Sequence, residues 1–205
     1  MKFPFFATFI VLAVWITMTT KRSTNASMKK EEDFLDRERR ANLSRKRSLD
    51  HLAYLQIPFE RFPKDSLSDP EQNECLSSLM QKLHLLQKEG IVNLTGQTNT
   101  DLKLNYGVAN LETLMHYDDN FATLLITLDQ IGHLYFDAGK LSAATIYLEY
   151  AVSLHTDVSA TYTLLTTIYR QSENPQKIEH LLSIAQGLQS GTKDKILHNL
   201  QEALS

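Results

Sequence analysis

The sequence predicts an all-α protein: a short helix–turn–helix solenoid behind a single N-terminal transmembrane helix. Three observations predict it. The chain has 205 residues with only seven Gly and five Pro, too few for the tight turns of a sandwich or barrel. Residues 3–20 run without a charge. Self-comparison at an offset of 34 residues pairs Ile131 with Leu165, Tyr135 with Tyr169, Leu148 with Leu182, Ala151 with Ala185 and Leu154 with Leu188. A single Cys, Cys75, excludes an intramolecular disulfide and a Cys-rich zinc site.

The N-terminal segment comes first. Eighteen apolar and neutral residues at about 1.5 Å each give a helix of about 27 Å, near the lower limit for a bilayer core. Trp15 lies towards one end, where an indole suits the interface. A cleavable signal peptide is the rival, and Thr24-Asn25-Ala26 is a passable cleavage pattern. Against it, Lys21 and Arg22 follow the apolar run at once. The expectation is an uncleaved anchor over residues 1–22 in the cell membrane. The cations after the span outnumber those before it, so the positive-inside rule puts the C-terminal domain in the cytoplasm, with an exported domain as the alternative.

Charge divides the rest. Residues 21–50 hold ten Lys or Arg against six Asp or Glu, while residues 51–205 hold ten against eighteen. The overall −3 therefore hides a basic neck and an acidic body. Residues 23–56 read as a charged juxtamembrane helix or linker, helped by Asp33–Arg37 and Asp36–Arg40 at i,i+4. Its cations suit anionic headgroups. Nucleic acid is set aside as a partner because the body is acidic. Three glycosylation sequons, at Asn25, Asn42 and Asn93, have no bearing on a cytoplasmic domain.

Residues 57–124 read as a helical N-terminal cap. Ile57-Pro-Phe-Glu-Arg-Phe-Pro63 forms an extended strap pinned by Phe59 and Phe62. Ser68-Asp69-Pro70 starts a helix, Leu76, Leu79, Met80, Leu83 and Leu86 give its stripe, and Gly90 ends it. Cys75 sits beside that stripe as a small core or edge residue. Residues 90–110 read as an irregular loop with a short strand at Ile91–Leu94 and a cap or Asx turn at Asn99 or Asp101. The Leu111–His116 stretch adds a further cap.

Residues 125–191 hold the repeats. Asp118 or Asp119 is expected to cap the first helix, Gly139 to turn the chain, Asp157 to cap the third helix, and Asn174-Pro175 to start the fourth. Residues 192–205 form an amphipathic capping helix with Ile196, Leu197, Leu200 and Leu204 inward.

Gly132, Tyr135, Gly139, Ala144, Leu148 and Ala151 in the first unit, with Leu165, Tyr169, Leu182 and Ala185 in the second, resemble the tetratricopeptide repeat (TPR) family. Small residues at 132, 144 and 151 let paired helices approach closely. The second unit departs at Thr166 and Ile178, so looser packing is expected there. The whole chain is also similar to small membrane-anchored repeat proteins of bacteria, through its N-terminal span, basic neck, Ile57-Pro-Phe59, Phe62-Pro63, Asn99–Gly107 and Tyr169-Arg170. That likeness implies an architecture and no activity.

The family's ligand groove is lined by the first helix of each pair. By register, the resemblance implies a protein-binding face of Ile126, Asp129, His133 and Phe136, continued by Ala160, Thr163, Thr167 and Arg170. The Lys/Asn clamp that some members use for C-terminal carboxylates is absent. No G-x-x-x-x-G-K-[ST], H-E-x-x-H, G-x-S-x-G or EF-hand pattern occurs, and the seven His form no i,i+3 or i,i+4 pair with each other or with Cys75. The expectation is no enzyme, no cofactor and no metal. The expected function is that of a membrane-tethered interaction module that holds a peptide or protein segment. The alternative is a small-ligand-binding or enzymatic protein with a site between the 90–110 loop and the repeats, where Asp101, Lys103, Asn105 and Tyr106 would converge.

Overall fold

The computed structural model describes Trp15 and residues 28–204. Among them every regular element is a helix. Residues 28–42 form α1. It is followed by α2 (Pro70–Glu89), α3 (Asn99–Tyr106), α4 (Leu111–Asp137), α5 (Leu141–Ser153), α6 (Ser159–Gln171), α7 (Pro175–Ala185) and α8 (Lys193–Leu204). No described helix is long and apolar enough to cross a membrane. The predicted span 3–20 lies outside the described residues except for Trp15.

The chain divides into two compact units. The first joins the stretch up to Leu49 with Thr98–Leu111, and the second joins Asp50–Gln97 with Glu112–Ser205. The border between the units falls at 49/50, and residues 98–110 of the expected 90–110 loop belong to the first unit.

In the first unit α3 is a helix where a loop was expected. Thr98, not Asn99, is its N-cap: the Thr98 hydroxyl accepts from the Asp101 amide while the Asp101 carboxylate accepts from the Thr98 amide. Gly107 ends the helix at φ 91°, and a Cβ there would run into the main chain of Arg45 and Lys46. The extended segment after α1 lies on the end of α3. The Arg47 amide donates to the Tyr106 carbonyl at 3.0 Å, and Asn110 donates to the Arg47 carbonyl at 2.7 Å. The expected pair Asp33–Arg37 does not form, since Arg37 turns to Asp101 instead.

The second unit is built on one apolar core from Ile57 to Leu200. Asp69 caps α2 with Pro70 behind it, and Asn174 caps α7 with Pro175 behind it. The other expected caps differ. α4 is one continuous helix of 27 residues, so Leu111–His116 is its first part and Asp118 sits in its interior. No Gly or Pro interrupts this stretch before Gly132, and the Asp118 carboxylate accepts from the Leu94 amide at 3.1 Å. At α6 the N-cap is Val158, without a side-chain cap bond. The buried Thr156 hydroxyl accepts from the Val158 amide at 3.2 Å instead of Asp157 acting as the cap. Residues 91–94 form no strand. They are an extended apolar staple, with Ile91, Val92 and Leu94 buried and single main-chain bonds to Leu55 and Tyr117.

A turn recurs at 34 residues. Gly139 (φ 73°) donates to Phe136 and Lys140 donates to Tyr135; Glu173 (φ 50°) donates to Arg170 and Asn174 donates to Tyr169. At the first α–α crossing a Cβ on Gly132 would lie 2.5 Å from Leu148, which is fully buried. Thirty-four residues on, Thr166 does have a Cβ, and Leu182 is only partly buried. α6 packs against α5, α7 and α8, and α7 against α8.

Five tyrosines brace this unit. Tyr135 donates to the Asp65 carbonyl at 3.0 Å and Tyr147 to the Pro63 carbonyl at 3.0 Å. Tyr150 donates to the Gln56 carbonyl at 3.5 Å. The Phe62 ring stacks on Tyr147 at 4.5 Å, which pins the strap as expected. Tyr162 donates to Thr156 and Tyr169 to Glu149. Burial first of all raises all five phenols above the ordinary 10, Tyr162 to about 12.

Candidate functional site

The predicted binding residues fall on the exposed faces of α4 and α6, and the structure distributes them over separate troughs. Asp129 and His133 lie one turn apart on α4. Thr161 on α6 donates its hydroxyl to the Asp129 carboxylate at 2.8 Å, which joins the two helices. The His133 Nδ1 lies 2.9 Å from the Asp129 main-chain oxygen and 3.5 Å from its carboxylate. An acceptor-only carbonyl at that distance assigns the proton to Nδ1 and leaves Nε2 outward. The Asp129 side chain is 14% exposed and His133 42%. Around them runs a trough of about 380 Å³ lined by Cys75 and Leu79 of α2, Gln130, Leu134 and Asp137 of α4, and Ala160 of α6.

Thr163, Thr167 and Arg170 line a second trough of about 240 Å³, whose other wall is Asn199, Glu202 and Ala203 of α8. The threonine hydroxyls donate along their own helix: Thr163 to Ser159 at 3.1 Å, Thr166 to Tyr162 at 2.7 Å, and Thr167 to Thr163 at 3.0 Å. Their lone pairs remain as acceptors at the surface, with Arg170 as the cationic donor beside them. Ile126, 49% exposed, belongs to a third trough with Phe121, Leu125, Val158 and Leu188. Phe136 is partly buried and packs against the core, so its ring serves the fold.

The lining residues contributed by α2 and α8 were not read as site residues. Cys75 and Leu79 come from a helix fifty residues upstream, and no local pattern connects them to α4. Asn199 and Glu202 lie on the capping helix, where attention goes to the inward Leu stripe. Cys75 is exposed rather than part of the core.

The residues of the alternative site have structural partners in the first unit. Asp101 closes the α3 cap and pairs with Arg37. Lys103 pairs with Glu38 at 3.4 Å and donates to Asn42 at 2.8 Å. The Asn105 carbonyl accepts from Arg47 at 3.1 Å. Among the described residues no three His, Cys, Asp or Glu side chains converge to hold a metal ion. Comparison with family models, curated proteins and solved structures returns no match.

Proposed function

We propose that this chain is a membrane-tethered interaction module. Residues 3–20 anchor it and the basic neck lies at the anionic cytoplasmic leaflet. α4–α5 and α6–α7 act as two TPR-like units capped by α8, and a peptide or protein segment binds along α4 and α6. The turn that recurs at 34 residues, with its paired carbonyls, supports the repeat reading. The observation that carries the binding reading is the α4–α6 face itself. It is shallow and mixed in polarity, and its central carboxylate, Asp129, is held rigid by Thr161. Such a surface suits side chains of a polypeptide better than a small molecule, which needs enclosure.

The test is crosslinking in intact cells, comparing wild type with a His133→Ala/Arg170→Ala variant of equal helicity. A partner captured by wild type and lost in the variant supports the reading. Equal capture by both overturns the α4–α6 face. Alkaline washing should leave the protein in the membrane fraction, with residues 56–205 protected from external protease; digestion of that region would reverse the orientation.

A further inference from the structure

The charge pattern along α4 names the class of partner that its outer side takes. Between Lys103 and Lys177 the sequence holds eight Asp or Glu and only two cations, Lys140 and Arg170. α4 alone carries five of those acids and no Lys or Arg. Lys140 is engaged, donating to the Ser66 carbonyl at 2.8 Å, and Arg170 lines the α6–α8 trough. The two other troughs share one design. The one beside α2 sets Asp129 and Asp137 around a floor of Leu79, Leu134 and Ala160. The one at the start of α6, about 250 Å³, sets Asp118 and Asp157 around Phe121, Leu125, Val158 and Leu188. Apart from His133 in the first and His155 in the second, no side chain able to carry positive charge lines either. Lys82 and Lys193, the nearest cations along α2 and α8, line neither trough. Among the described residues none of the four carboxylates pairs with a Lys or Arg.

An apolar floor edged by carboxylates suits both halves of a Lys or Arg side chain. The methylene stem lies on the floor and the head reaches the acid. An acidic ligand would meet four like charges, and a purely apolar one would strip water from carboxylates without giving them a partner. α4 also sets the spacing. Asp118 and Asp129 are eleven residues apart, about 20° beyond three full turns, so they share one side of the helix about 16 Å apart. An extended peptide at about 3.3 Å per residue covers that distance in about five residues. We propose that the outer side of α4 binds a partner segment with basic residues at i and i+5, one in each trough. This rests on the α4–α6 face being the binding surface and specifies the charge and spacing of what it holds.

Fluorescence anisotropy on the full-length chain in neutral detergent tests it. The probes are labelled peptides with arginine, glutamate or norleucine at i and i+5 in a serine background. The arginine peptide should bind, more weakly as salt rises, and the other two should not. Asp137→Asn with Asp157→Asn, at two exposed carboxylates, should weaken it severalfold. Asp119→Asn with Glu173→Gln, outside both troughs, should leave it nearly unchanged. Equal loss in the two double variants means diffuse attraction to an acidic body and overturns the proposal. Equal binding of the glutamate or norleucine peptide overturns it too, as does no binding of the arginine peptide. Equally tight binding of a peptide with arginines at i and i+2 refutes the two-trough register. The face itself fails by a different result, equal crosslinking of a cellular partner by wild type and the His133→Ala/Arg170→Ala variant. Crosslinking lost in that variant, beside a failed peptide test, keeps the face and strikes the basic class alone.

Discussion

The two units of this chain solve the same problem with different forces. The stretches of the first, 1–49 and 98–111, carry twelve cations and six anions; those of the second carry nine and eighteen. Among its described residues the first unit buries few apolar side chains. Ala41 and Leu102 go inside, and the rest of its order comes from ion pairs and a capping box. The second unit buries an extended aliphatic and tyrosine core and bonds its phenols to main-chain carbonyls. A small unit cannot bury enough surface to dispense with polar contacts, and a stack of helix pairs can. Charge therefore governs the first unit and packing the second.

The sharpest way to break that contrast is at Gly107. A Val there meets both a positive φ and the main chain of Arg45 and Lys46, neither of which can yield cheaply. The expected cost is about 3 kcal/mol. Hydrogen exchange should show residues 28–49 and 98–110 opening while the melting of the second unit stays in place. A common loss would mean that the units unfold as one.

Within the second unit, Gly132→Ala sets two effects against each other. Helix propensity favours Ala by about 1 kcal/mol. The added Cβ lies 2.5 Å from a fully buried Leu148, and overpacking costs about 1–3 kcal/mol. Overpacking should win, lowering the urea midpoint. A rise would show that Leu148 can move aside.

The same contrast explains what could be read from sequence. The second unit was legible because its signals are local. Pro70 and Pro175 mark helix starts, and the 34-residue period announces the helix pairs and the small residues between them. In the first unit the charged helix α1 was legible but its pairing was not, because its partners lie about sixty residues along the chain. Nothing in Asp101 or Lys103 says that Arg37 and Glu38 will meet them, so α3 looked like a polar loop. The candidate face was half legible. Register places Asp129, His133, Thr163, Thr167 and Arg170 on the outer sides of α4 and α6, where they line troughs, but Cys75 and Leu79 join that lining only through tertiary packing. Phe136 shows the limit of register, since position on a helix does not decide whether a ring turns outward or inward.

Tyr162→Phe should cost less than Gly107→Val and about as much as the net effect of Gly132→Ala. Only one hydroxyl goes, but it leaves the Thr156 carbonyl without its donor at a site where Tyr162 is 2% exposed. The expected loss is about 1–2 kcal/mol in chemical denaturation. An unchanged midpoint would mean that water replaces the phenol.

The smallest effects near neutral pH become visible at its two edges, and the units should fail at opposite ones. The Thr100 hydroxyl, with Lys103 and Arg37 behind it, holds Glu38 below its ordinary 4.5. Thr98, with Arg37 behind it, holds Asp101 below 3.8. A carboxyl lowered by folding adds stability above its unfolded value, and that stability is lost as pH falls through the folded one. The first unit should therefore loosen below about pH 4. The buried phenols are raised by folding, so their contribution is complete below 10 and is lost as pH climbs towards and past 12, the value to which Tyr162 is pushed. The second unit should loosen there. Segment-resolved hydrogen exchange across both edges, with tyrosinate absorbance as the alkaline monitor, separates the two. If residues 28–49 and the tyrosine core open at the same edge, ion pairing does not distinguish the first unit from the second.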